Sequence, residues 1–532
     1  MGWKSSRPTL TRMLSELGQP KPRSPWKLVA ALLGGGLLGR GTIAFFLPPG
    51  FDEAYYYLYT RHLDWSYFDH PLMVALSTGF GVALTGEVSQ FTIRLGALLL
   101  HTGALLLLYL TARRLFSEQA AVLTLTIASL VPIFLMGFGV LTLPDSPLIF
   151  FWTAALLVAS HEFFPPTAYR PSWRLAIIGF LTGLACLSKY HGLALGVGFL
   201  GFCLLSPPHR AALRSPWLLA GVGLFLLAIA PIVVWNSQHD WISLRFQSAR
   251  ALPDRGYSFL ELLGVFFVGN AYLFPTFGFP LWWAMGRSLL KAAKLKTQSA
   301  PALLILCLSL PIVLGFTFLG GYRPILPTWA APGFWSATLL LGNWAAEWAA
   351  RSRRRWLVGS GLVIATLLLV GLLHLTIGLL QKPGQSTLGG GLVPVTTDAS
   401  VQMLDIQQLR RRLADSAIVR SALTQADFVF TSEIFLAGQV GMAIAPLSDR
   451  PITCLSEDLR GFAFWSQSQD WVGKTGLFFV SQRLAGATSY TDYFRQIEKI
   501  AEVQIDRGGV TVEVIQIYRC EDLLKPYLRP YG

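Results

Sequence analysis

Charged side chains are scarce in this sequence, and many of those that interrupt its apolar runs come in short clusters beside aromatic residues. The densest is PPGFDEAYYYLYTRHLDWSYFDHPL, which holds Asp52, Glu53, Arg61, Asp64, Tyr67, Asp69 and His70. LTLPDSP adds Asp145, LSKYHG adds Lys189, Tyr190 and His191, WNSQHDWISLRFQ adds His239, Asp240 and Arg245, and GGYRPILPTW adds Tyr322 and Arg323. A carboxylate can take a proton from a hydroxyl, and Lys or Arg can hold a phosphate. Together they suit a site that binds a phosphate and also activates a hydroxyl. Each cluster has a plainer reading. The first is then a solvated loop with interfacial aromatics, and Asp145 a helix N-cap ahead of Ser-Pro.

The elements that must position these clusters are membrane helices. Of 532 residues 53% are hydrophobic and 14% charged, against roughly 25% charged in an ordinary soluble chain. The mean hydropathy is +0.50 and there are 17 tryptophans, as expected where lipid forms the outer wall and aromatic belts mark its interfaces. A crossing helix needs about 20 mostly apolar residues. Such runs lie near 27–47, 91–112, 119–139, 146–164, 174–189, 191–206, 216–235, 259–286, 301–319, 330–348 and 357–380. The sequence therefore predicts a polytopic α-helical membrane protein with about eleven transmembrane helices, the short pair around Ser188-Lys189-Tyr190 being either two helices or one bent segment.

Lys and Arg concentrate in cytoplasmic loops. With the N-terminus inside, eleven crossings put Arg113 and Arg114, Arg170 and Arg174, Arg210 and Arg214, Arg287 to Lys296, and Arg351 to Arg355 on the cytoplasmic side with the basic segment 1–26. The net charge of +14 is then a topology signal and not a sign of nucleic-acid binding. The acidic and aromatic clusters fall together on the opposite face, where an ionisable group beside lipid is costly unless it lines a cavity or has a task.

After the membrane region, 27–380, QKPGQSTLGGG reads as a flexible linker. Residues 381–532 read as a small soluble α/β domain outside the cytoplasm, with strands in DFVFTS, GLFFVS and VEVIQIY and a helix in YTDYFRQIEKIAEV. Cys454 and Cys520 there are either a disulfide or two buried thiols. Trp465 and Trp471 are either a sugar-stacking surface or core.

FDEAYY at 51–56, YFDHPL at 67–72, LPDSP at 143–147, LSKYHG at 187–192, WNSQHDW at 235–241 and RPILPTWAAP at 323–332 stand in an order that resembles one family. The sequence looks like the polyprenyl-phosphate-sugar glycosyltransferases of the GT-C fold, in the protein mannosyltransferase and lipid A aminoarabinose transferase group. The resemblance covers about residues 27–380. It implies Asp52 as the catalytic general base, Glu53 as its orienting neighbour and Asp145 as a substrate contact. Lys189, Arg323 and Arg245 are the expected phosphate cations, with Tyr67, His70 and Tyr322 as further substrate contacts. In the aminoarabinose branch a Lys stands where this sequence has His70. Asp69 and His239 resemble positions that hold a divalent metal ion; the alternative is a hydrogen-bonded His–Asp pair, and no other cofactor is implied.

The implied function is transfer of a sugar from a polyprenyl-phosphate donor to a lipid, glycan or protein acceptor at the outer face of the plasma membrane, the inner membrane in a bacterium with two. The sequence shows no Rossmann-like domain for a sugar nucleotide, in keeping with a lipid-linked donor. A transporter or flippase of lipid-linked sugars is the alternative, but such proteins place ionisable groups near the midplane and often carry inverted repeats. Here the charges gather at one boundary.

Overall fold

The computed structural model describes residues 25–295, 300–484 and 490–529. Most of the expected N-terminal segment 1–26, and with it Lys4, Arg7, Arg12, Lys21 and Arg23, lies outside the described residues, as does Lys296.

The apolar runs form helices because a segment apolar on all sides must bury every face and satisfy its backbone internally. In chain order these are α1 (Pro25–Phe46), α2 (Phe51–Arg61), α3 (Met73–Thr85), α4 (Leu95–Leu115), α5 (Glu118–Leu130), α6 (Asp145–Phe163), α7 (Arg174–Ser188) and α8 (Gly192–Leu205). They continue with α9 (Pro216–Gln238), α10 (Ile242–Ala251), α11 (Phe259–Leu273), α12 (Pro275–Leu295), α13 (Ala300–Leu319), α14 (Pro327–Ala346) and α15 (Ala350–Ile377). Every expected run falls on a helix or a broken pair. Six of the described helices are long and apolar enough to cross a membrane: α1, α4 extended back to Thr92, α6, α9, α13 and α15. Helices α5, α7 and α8 are apolar but shorter, at 13, 15 and 14 residues.

The run 259–286 differs in detail from the sequence reading, and the choice left open at 174–206 falls on two helices. The stretch 259–286 is not one rod, since α11 and α12 meet at 113°. Phe274 sits at the break with φ +67°, immediately before Pro275, which disfavours helical backbone in the residue preceding it. The stretch 174–206 is two helices: Lys189 adopts extended backbone after α7, and α8 then starts afresh. Gly192 permits this turn, because a Cβ there would lie 2.3 Å from Cys186 N.

The C-terminal region is α/β. A five-stranded sheet has the order β4-β3-β5-β7-β6, where β3 is Phe428–Thr431, β4 Ile452–Cys454, β5 Gly476–Ser481, β6 Phe494–Arg507 and β7 Val510–Leu523. Strand β3 runs parallel to β4 and β5, and β7 antiparallel to β5 and β6. The expected helix in YTDYFRQIEKIAEV is instead mostly strand β6. Its apolar residues Phe494, Ile497, Ile500 and Val503 recur every three positions, as on a helix face, yet the segment pairs with β7 throughout, with a register shift between Lys499 and Ala501. The β6–β7 turn is made by Gly508 and Gly509, both at positive φ, as a tight hairpin turn requires.

The expected flexible linker is tied down. Strands β1 (Gln381–Lys382) and β2 (Val393–Pro394) pair in parallel, Gln381 is fully buried, and Arg507 Nε donates to its Oε1 at 2.8 Å. Both domain cysteines are free thiols and buried.

The most consequential packing joins the two regions. Helix α18 (Ile434–Ile444), which follows α16 (Ile406–Asp415) and α17 (Ala417–Gln425), lies on α2. Gly438 brings the two backbones together, since a Cβ there would come within 2.4 Å of Ala54 C. Residues 54–59 of α2 share one hydrophobic core with Leu409, Val440, Leu477 and Ile517 of the C-terminal region.

Candidate functional site

Helix α2 starts at Gly50, whose N–H donates to Glu53 Oε2 at 2.7 Å. Glu53 is buried and also accepts from Arg94 Nε at 2.8 Å, Arg94 Nη2 at 2.6 Å and Thr142 N at 2.9 Å. Arg94 spends its remaining donors on the carbonyls of Ala44, Leu47 and Pro48. This network fixes the first turn of α2 against the end of α1 and the 140s loop. Successive residues on a helix point about 100° apart, so Asp52 faces elsewhere. It opens into a cavity of about 590 Å³.

That cavity is walled by residues from distant parts of the chain, including Asp52, Tyr56, Asp69, His70, Asp145, Lys189, His191, Gln247, Arg250 and Arg460. Asp52 is exposed to solvent at the cavity, although protein atoms crowd around its carboxyl. Burial first, and the neighbouring Asp69 carboxylate second, push the Asp52 carboxyl up to about 6, while Arg460 works in the opposite sense. Asp69 is held by the Tyr59 hydroxyl, which donates to Oδ1, by Arg460 Nη1 at 3.4 Å, and through its backbone carbonyl by Gln247 Nε2 at 2.6 Å. His70 lies edge-on to Tyr56 with ring centroids 5.6 Å apart. Burial and the nearby Lys189, Arg250 and Arg460 charges hold it well below its ordinary value, so it is neutral at pH 7.

Lys189 Nζ donates to both oxygens of Asp145, at 2.9 and 2.8 Å. The pair is buried at the cavity wall, and Asp145 also opens α6. Arg250, on α10, carries its guanidinium 5.0 Å from the Trp329 ring centroid and 5.3 Å from that of Phe246. Aromatic faces hold a cation without neutralising it.

Several sequence candidates lie elsewhere. Arg323 does not line the cavity: its Nη1 donates to Ala249 O and Leu252 O at 2.7 and 2.9 Å, capping the C-terminal end of α10 and so holding Arg250 in place. Arg245 is exposed on that same helix, five positions before Arg250, and takes no part in the cavity wall. Tyr322 packs on Tyr257 and Phe318. Tyr67 is buried, stacked 3.9 Å from Tyr59, with its hydroxyl donating to Tyr59 O.

The two residues suggested for a metal ion meet no third ligand among the described residues. His239 donates from Nδ1 to Trp235 O at 2.7 Å and stacks on the Trp235 ring. Both carboxylate oxygens of Asp69 are already engaged by Tyr59 and Arg460. Among the described residues no group of three His, Cys, Asp or Glu side chains is arranged to hold a metal.

Neither Arg250 nor Arg460 stands out in the sequence. Arg250 shares its helix with Arg245 and is followed closely by Arg255, and only the fold tells the three apart. Arg460 lies in a loop of the C-terminal domain, 391 positions from Asp69, and no local motif marks it.

Residues 69–235 match the family described as dolichyl-phosphate-mannose-protein mannosyltransferase. The chain is 27% identical over 296 residues to the lipid A galacturonosyltransferase RgtD of Rhizobium johnstonii; this similarity spans 54% of the chain and 59% of that relative's length. Its fold is similar to that of ArnT from Cupriavidus metallidurans in the apo state, at TM-score 0.60 and 17% identity, over 92% of this chain and 98% of that one. The same protein bound to undecaprenyl phosphate gives TM-score 0.61 and 16% identity with the same coverage. The order of the motifs, the matched segment and the shared architecture agree: the chain has the fold of ArnT and is similar in sequence to membrane glycosyltransferases.

Proposed function

We propose that this protein transfers a sugar from a polyprenyl-phosphate carrier to a hydroxyl of a lipid acceptor, on the face of the plasma membrane away from the cytoplasm. The observation that carries this reading is a single cavity in which a carboxylate raised to about 6 stands among Lys189, Arg250 and Arg460. The names of the similar proteins supply the substrate classes: one acts on lipid A, and another binds undecaprenyl phosphate.

In this reading the acceptor hydroxyl attacks the sugar C1 while Asp52 takes its proton. The bond from C1 to the phosphate oxygen breaks, and its electron pair leaves with the polyprenyl phosphate. Near pH 7 a carboxyl of this strength is ionised by roughly ten to one, yet is basic enough to share a proton in the transition state. The charge growing on the leaving phosphate falls to the cations, of which Arg250 has no carboxylate partner among the described residues. His70, being neutral, can donate one hydrogen bond without adding charge.

Residues 27–380 form the catalytic membrane region in this assignment and 381–532 the domain outside the cytoplasm. The test is reconstitution of the full chain in detergent with a panel of polyprenyl-phosphate hexoses, hexuronic acids and pentoses and with lipid A. Acceptor-dependent release of polyprenyl phosphate is expected with at least one donor; donor binding with no release under any acceptor would overturn the reading. A periplasmic phosphatase reporter fused after Gly532 should be active, and its silence would reverse the orientation.

A further inference from the structure

The cavity is completed by the C-terminal domain. Arg460 enters its wall from a loop between β4 and β5, with Phe435 of α18 beside it. Its guanidinium lies 5.5 Å from the Phe435 ring centroid. Two carboxylates orient it: Nε donates to Asp458 at 3.2 Å and Nη1 to Asp69 at 3.4 Å. Nη2 has no hydrogen-bond partner among the described residues.

The backbone that delivers this side chain is held in an unusual state. Arg460 has φ +40°, a region that non-glycine residues enter at a cost. The next residue shows what maintains it: Gly461 N donates to the Tyr55 hydroxyl at 2.8 Å. A Cβ on Gly461 would meet Trp465 at 2.6 Å and the Tyr55 hydroxyl at 2.8 Å. Tyr55 lies on α2, one turn from Asp52, so the helix that carries the carboxylate also anchors the loop that carries the cation.

Arg250 and Arg460 therefore approach one cavity from two regions of the chain. They are close enough to repel, since the Arg250 guanidinium is pushed down by burial first and by Arg460 next. An anion placed between them would relieve that repulsion.

Building on the lipid-carrier reading above, we infer that Arg460 of the C-terminal domain is a ligand of the donor's phosphate, presenting Nη2 to a phosphoryl oxygen opposite Arg250 while Asp458 and Asp69 keep its plane fixed. The C-terminal domain is then part of the donor site.

The test measures binding to the full-length protein in detergent, with undecaprenyl phosphate and undecaprenol as the two probes. The parent should prefer the phosphate form. Arg460→Gln should lose roughly tenfold or more of its affinity for undecaprenyl phosphate, because a charged contact to phosphate is lost, and should bind undecaprenol as before. Arg460→Lys should recover part of the loss. The double variant Asp69→Asn with Arg460→Gln separates a ligand from a mere counter-ion, since it removes the charge that Arg460 would otherwise balance. If affinity stays low in the double variant, Arg460 is a phosphate ligand; if affinity returns to within about threefold of the parent, its role is to neutralise Asp69 and the inference fails. Undiminished phosphate preference in Arg460→Gln would overturn the inference and leave the lipid-carrier reading standing. A parent that binds the two probes equally would overturn both.

Discussion

Lys189 Nζ lies 2.9 and 2.8 Å from the two carboxylate oxygens of Asp145, joining the break between α7 and α8 to the first turn of α6. With both side chains under a tenth exposed, removing one partner leaves the other charge buried alone, at a cost of about 3–5 kcal/mol. Lys189→Met and Asp145→Asn should each lower the unfolding midpoint in detergent, and the double variant should recover much of the loss. Two additive losses would show that the pair is not coupled.

Asp52→Asn keeps size and shape but cannot accept a proton. Transfer should fall by about 10²–10⁴, with undecaprenyl phosphate binding retained. In the parent, kcat/KM should decline as pH falls through about 6. The stability effect has the opposite sense. A carboxyl whose folded-state value is raised favours the folded state below the unfolded value and loses that contribution as pH rises through about 6. The Asn variant should therefore be more stable than the parent at pH 8, with the gap closing below pH 4. A less stable Asn variant at pH 8 would contradict this.

Glu53 and Arg94 form a fully buried ion pair that sets the start of α2. Arg94→Ala should cost about 3–5 kcal/mol and should lower kcat through misplacement of Asp52. Thermal unfolding and kinetics on the same preparation would check both, and unchanged activity in an unstable variant would separate Glu53 from the positioning of Asp52.

Two arginines on α10 should respond differently. Arg250→Ala removes a cation from the cavity and should raise the donor KM by roughly tenfold or more, whereas exposed Arg245→Ala should change it by less than about twofold. The reverse ranking would mean that the donor approaches from the other face of α10.

Gly438→Val would force a side chain into the backbone of α2. Overpacking of this kind costs about 1–3 kcal/mol. Limited proteolysis should then release a C-terminal fragment that the intact parent protects; equal resistance would show that the α2–α18 contact yields without separating.

Much of this protein is determined by the sequence alone, where the physics is local or cumulative. Lipid demands long apolar helices, so the spans announce themselves in composition. A carboxylate beside a helix start and a lysine at a break between two apolar runs also stand out, which is how Asp52, Asp145 and Lys189 could be named from their segments. The order of the motifs carried the family resemblance. Strands Phe428–Thr431 and Gly476–Ser481 were legible because their apolar residues run without interruption.

Only the tertiary structure decided which cation meets which carboxylate. Arg323, Arg245 and Arg250 look alike along the chain; one caps a helix, one faces away from the cavity and one lines it. The apolar residues of β6 have a helical spacing, yet the segment pairs along its length with β7. The glycine run at 389–391 suggested a flexible linker, where the buried contact between Gln381 and Arg507 in fact holds the segment down. Arg460 reaches Asp69 only because Gly438 lets α18 rest on α2 and Gly461 bonds to Tyr55. Such contacts join residues hundreds of positions apart, and side-chain direction at that range depends on packing that no local pattern encodes.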